Sequence, residues 1–102
     1  MAHQLKLYVD SDLKEPVRRF RFPRTEIGQS SDIPFYINNA SEKWPIVEIT
    51  YNQNDKEVTV LDIPQTLRAQ QKVKCRARYT PAINTNEALS TIIDITGELH
   101  IG

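Results

Sequence analysis

The chain has 102 residues, 39% hydrophobic and 25% charged, with a formal net charge of zero. Such usage fits one globular domain and argues against disorder. Neutrality removes the electrostatic footprint of a typical nucleic-acid binder, and no stretch approaches the roughly 20 apolar residues of a membrane-spanning helix.

Apolar residues recur with period two, and six prolines interrupt any helical continuity. Leu5, Leu7 and Val9 form the first alternating run. Asp10 to Pro16 reads as a loop or link. Phe20 and Phe22 alternate with Arg19 and Arg21. Ile33, Phe35 and Ile37 share one face, followed by the polar loop Asn38 to Lys43. Val47, Ile49 and Tyr51 are read as the inward residues of the next strand. Asn52 to Asp55 then reads as a hairpin turn into Val58 and Val60, because Asn and Asp tolerate tight, left-handed backbone. Val73, Cys75, Ala77 and Tyr79 alternate with Lys72, Lys74, Arg76 and Arg78. Pro81 to Ala88 is a loop with room for a short helical turn. Ile93, Ile95, Gly97, Leu99 and Ile101 share the last inward face. The pattern predicts an all-β fold: a single antiparallel β-sandwich of about seven strands. Residues 1–19 form an N-terminal strand or arm-like segment, and residues 20–102 the sandwich.

Several small-residue signals fall in a familiar order. Ile27-Gly28 precedes the strand Ile33 to Ile37, and Asn39-Ala40-Ser41 follows it. Ile63-Pro64 and Leu67 precede the strand Val73 to Tyr79, which ends in Thr80-Pro81. The order resembles the immunoglobulin-like modules of the major sperm protein and abnormal-spindle/hydin type. The resemblance covers roughly residues 20–102, and it implies a non-enzymatic scaffold or binding module.

The chemistry-bearing residues are sparse. Nucleophilic catalysis needs a Ser or Cys beside an oriented His. Only His3 and His100 are present, and no nucleophile elbow exists. Neither the histidines, Cys75 nor the Asp10-x-Asp12 pair has metal-ligand spacing. The three glycines are dispersed, so no phosphate cradle forms. No catalytic residue, metal or cofactor is expected. Cys75 lies on the apolar side of its strand and reads as core. Asn39-Ala40-Ser41 matches a glycosylation sequon, which has no meaning without secretion. Met1 to Lys6 lacks a long apolar run, so no secretory signal is expected and synthesis is placed in the cytoplasm.

Charge is segregated along the chain. Residues 1–24 carry six basic and three acidic side chains, and residues 68–78 carry five basic and none acidic. Arg18, Arg19, Arg21 and Arg24 interleave with Phe20 and Phe22. This pattern suits an edge strand with its cations in water better than a base-stacking stripe. Lys72, Lys74, Arg76 and Arg78 line one face of a strand. The sequence pairs that strand with the last one, so that Asp94 and Glu98 oppose the basic row. Trp44 is read equally as a core lid or an interface anchor. Together these nine cationic and aromatic residues are the candidate partner-binding set.

Two functions compete on this reading. One is a subunit of a large assembly, most concretely a virion accessory such as a capsid-decoration or tail protein, whose partners are protein subunits, with homo-oligomerisation open. The other is a cytoplasmic adaptor that binds a protein or peptide through one sheet face. Nucleic acid and membrane are disfavoured as partners.

Overall fold

The computed structural model describes residues 2–53, 55–82 and 88–101. It is all-β, with no helix among the described residues. Nine strands form among the described residues: β1 Ala2–Leu5, β2 Leu7–Tyr8, β3 Pro16–Val17, β4 Arg19–Phe22, β5 Ser31–Asn38, β6 Ile46–Gln53, β7 Val58–Leu61, β8 Lys72–Tyr79 and β9 Leu89–Leu99. They build two antiparallel sheets. In the four-stranded sheet β9 is central, with β6 on one side and β1 and β4 in tandem on the other. The five-stranded sheet runs β3-β2-β5-β8-β7.

The count rises from about seven because two N-terminal strands each divide between the sheets. β1 pairs with β9, and the chain then crosses at Lys6 so that β2 pairs with β5. The returning chain pairs as β3 with β2, crosses at Arg18, and rejoins β9 as β4. Leu5 and Leu7 are both buried in the common core. Residues 2–17 therefore contribute strands to both sheets. The intervening loop is tied by Asp10, whose carboxylate accepts from the Lys14 and Glu15 backbone N–H groups at 3.0–3.2 Å.

Alternation places most of the core as expected. Phe20, Phe22, Phe35, Ile37, Cys75, Ala77, Ile93 and Ile95 are fully or almost fully buried. The Phe20 and Phe35 rings bridge the sheets edge-on, with centroids 5.3 Å apart and planes at 65°. Strand β6 departs from the expectation. Ile46 and Ile49 point inward, whereas Tyr51 is exposed. The register slips between Val47 and Thr50, and Glu48 adopts a φ of 53°. This is a β-bulge, which restores the inward face after three residues instead of two. The expected inward face does not extend to Ile101, which lies beyond β9 and is 66% exposed.

Two pairings differ from the sequence reading. Asn52 to Asp55 is not a hairpin turn, because β6 and β7 lie in different sheets, with ladders to β9 and β8 respectively. The connection is an arch, in which the Gln53 side chain donates to the Val58 carbonyl at 2.7 Å. Nor do β8 and β9 pair. Strand β8 is flanked by β5 and β7, and β9 belongs to the opposite sheet. The basic row of β8 therefore faces neither Asp94 nor Glu98. The helical turn expected after Pro81 falls on residues 83–87, outside the described residues.

A second arch, from β5 to β6, is built on Asn39. Its side chain is fully buried. Its amide donates to the carbonyls of Trp44 at 2.8 Å and Leu67 at 3.1 Å, and its oxygen accepts from the Ser41 N–H at 3.0 Å. The sequon asparagine is thus a structural clamp whose amide hydrogens are both engaged. Leu67 also exchanges two backbone hydrogen bonds with Ile46, so the segment after β7 covers the start of the β6 edge.

Candidate interaction surfaces

The nine candidate residues do not converge on one site. They divide between opposite outer faces of the sandwich, with Trp44 on the Asn39 arch.

The β8 cations lie on the outer face of the five-stranded sheet, because Cys75, Ala77 and Tyr79 turn inward. Their partners come from β5 and from the end of β7. Arg78 makes two hydrogen bonds to Asp32 at 2.8 and 3.0 Å. Arg76 Nε donates to Asp62 at 2.9 Å, and its Nη1 reaches Asp32 at 3.5 Å. The Arg78 guanidinium holds the Asp32 carboxyl below its ordinary value. Lys72 Nζ donates to the Ser11 carbonyl at 2.6 Å. Lys74 makes no hydrogen bond or ion pair among the described residues.

Strand register places other side chains beside Lys74. Tyr36 is its partner on β5, Tyr8 is the partner of Tyr36 on β2, and Pro16 is the partner of Tyr8 on β3. Directly paired residues share a sheet face. A row Pro16–Tyr8–Tyr36–Lys74 therefore crosses four strands. Both tyrosines are half-buried, and the two ends of the row are exposed. The tyrosines sit at polar positions of the alternation, which was the only sign of them in the sequence. Their alignment with Lys74 depends on pairings between residues distant in the chain.

The arginine segment occupies the other sheet. Arg19 and Arg21 are exposed on β4, and Arg19 Nη1 donates to Ser90 Oγ at 3.1 Å. Phe20 and Phe22 are 1% and 0% exposed. Neither ring has a face free for a base, so aromatic stacking is not available there. Arg24 is exposed beyond the strand. Arg18 sits at the sheet crossing, where its Nε donates to Asp94 Oδ1 at 3.2 Å. Gln4 Nε2 donates to the same oxygen at 3.1 Å. Here the parting of β1 from β4 leaves a cleft of about 500 Å³, lined by Leu5, Leu7, Val17 and Ile93 together with Lys6 and Arg18.

Trp44 is half-buried, with the Lys43 ammonium 5.0 Å from its ring centroid. Cys75 is fully buried, and burial first, with the Asp62 charge second, pushes its thiol up to about 12. His100 is exposed beyond β9, and its backbone N–H donates to the Pro45 carbonyl. Among the described residues no three His, Cys, Asp or Glu side chains cluster as a metal site, and no helix is long and apolar enough to cross a membrane.

No protein-family model matches the chain, and no curated protein or solved structure matches it.

Proposed function

We propose that the chain is a non-enzymatic interaction protein that acts as a subunit of a larger assembly. One observation carries this reading: two separate cation-bearing surfaces lie on opposite faces of a sandwich only 17 Å deep along its shortest axis. Arg19 and Arg21 present one surface, and the β8 row with its tyrosines presents the other. A subunit set between neighbours uses both faces, whereas a single-partner adaptor needs one. The most concrete form of the reading is a virion accessory, a capsid-decoration or tail protein residing in the particle. The strand pattern and turn signals further support an immunoglobulin-like module of the major sperm protein and abnormal-spindle/hydin type as its scaffold.

The test is gradient sedimentation of a lysate of the native source, with the chain followed by mass spectrometry. Co-migration with large particles at fixed stoichiometry is the expected result. Migration as a small species overturns the assembly reading. In that event the adaptor reading takes its place, favoured by the Pro16–Tyr8–Tyr36–Lys74 row on a single face.

A further inference from the structure

We infer that the row Pro16–Tyr8–Tyr36–Lys74 docks an extended, acidic, proline-containing segment of a neighbouring protein chain. The inference rests on the interaction-protein reading and names the partner of one of its faces.

The row's polar groups determine the chemistry. The Tyr8 and Tyr36 hydroxyls and the Lys74 ammonium make no hydrogen bond among the described residues. All three can donate, and the ammonium can only donate. A carboxylate-bearing partner satisfies them with charge-assisted bonds. The surrounding charge agrees. Arg76 and Arg78 are matched by Asp32 and Asp62, whereas Lys72 is held only by a neutral carbonyl and Lys74 by nothing. Lys72 and Lys74 thus have no carboxylate partner among the described residues, and Lys74 stands in the tyrosine row.

The apolar part fixes the remainder. Two half-buried phenol rings, flanked by Pro16 and by Pro34 at the register position opposite Arg76, offer rigid planes at little entropic cost. Proline-bearing extended segments dock on such aromatic surfaces. Three inter-strand spacings span about 14 Å, which matches roughly four extended residues. A single-stranded nucleic acid is the weaker fit. Its phosphates would meet Asp32 and Asp62 on the same face, and two uncommitted cations supply little counterion release.

The test is titration of the ¹⁵N-labelled full chain, at low salt, with a hexapeptide alternating Glu and Pro, its Lys-Pro counterpart, and an eight-residue oligothymidylate. Expected are amide shifts confined to residues around Tyr8, Tyr36 and Lys74 with the Glu-Pro peptide alone. Lys74→Glu should weaken this binding at least tenfold, and Tyr36→Ala by several-fold, with the amide spectrum otherwise that of the folded parent. Arg21→Glu, on the opposite face, should leave it unchanged. Equal binding of the Lys-Pro peptide, preference for the oligothymidylate, or no shifts at millimolar Glu-Pro peptide overturns the inference. Failure here leaves the sedimentation result untouched. Conversely, a small native species with peptide binding intact removes the assembly and keeps the docking row.

Discussion

Gly97 of β9 lies against Ile46 of β6 so closely that a Cβ at residue 97 would stand 2.5 Å from Ile46 Cγ2. Ile49 Cγ1 and the Val47 carbonyl would lie at 3.1 and 3.2 Å. Gly97 faces the bulge, where β6 uses an extra residue to return Ile49 to the core. The absence of a side chain at residue 97 is what lets both isoleucines enter the same space.

Gly97→Ala should therefore destabilise the fold by about 1–3 kcal/mol, the usual cost of overpacking a filled core. Ile46→Ala removes the offending methyl, so the double variant should lose less than the sum of the single losses in a urea denaturation cycle. Additive losses would show that residue 97 has room.

Asn39→Ala should cost about 1–3 kcal/mol, because the Trp44 and Leu67 carbonyls lose their side-chain donor in a buried site. Chemical denaturation measures this directly. A change below about 0.5 kcal/mol, the range of ordinary surface substitutions, would contradict the clamp.

Asp32 supplies a pH dependence. Its folded pKa lies below the ordinary 3.8, chiefly through the hydrogen bonds from Arg78. A lowered carboxyl pKa stabilises the fold above the unfolded value and loses that contribution as pH falls through the folded one. Asp10 is lowered too, first by the Glu15 backbone N–H, and adds in the same direction. Thermal melts should thus weaken as pH drops below about 4. Asp32→Asn should melt lower than the parent at pH 7, with the difference shrinking toward pH 2. A difference that stays constant across that interval would contradict the ion pair.

Cys75 should resist alkylation at pH 8 in the folded protein and react fully in denaturant. Its thiol is buried, and at a pKa of about 12 almost none is thiolate. Rapid stoichiometric labelling of the folded chain would contradict this placement.

Local alternation made the core strands legible. Phe20 with Phe22, and Cys75 with Ala77 and Tyr79, turn inward as their period-two spacing requires. The β6 bulge was hidden because Val47, Ile49 and Tyr51 also alternate, and only the fit of Gly97 against Ile46 and Ile49 selects the other register. Sheet membership was less legible still. The polar stretch before Val58 has the composition of a hairpin turn, yet β6 and β7 find their partners elsewhere. The same non-local pairing set Lys74 beside Tyr36 and Tyr8, while Arg19 and Arg21 came to the far face. A basic row is visible in sequence, but its neighbours are not.

The most direct measurement is incorporation of single-face charge-reversal variants in native-source cells. Arg19→Glu/Arg21→Glu and Lys74→Glu would each be expressed in place of the parent chain. Mass spectrometry would then quantify their share of the large-particle fraction. Use of both faces requires that each variant, still folded, falls well below the parent in that fraction. Undiminished incorporation of either variant, or absence of the parent chain from the particles, would contradict it.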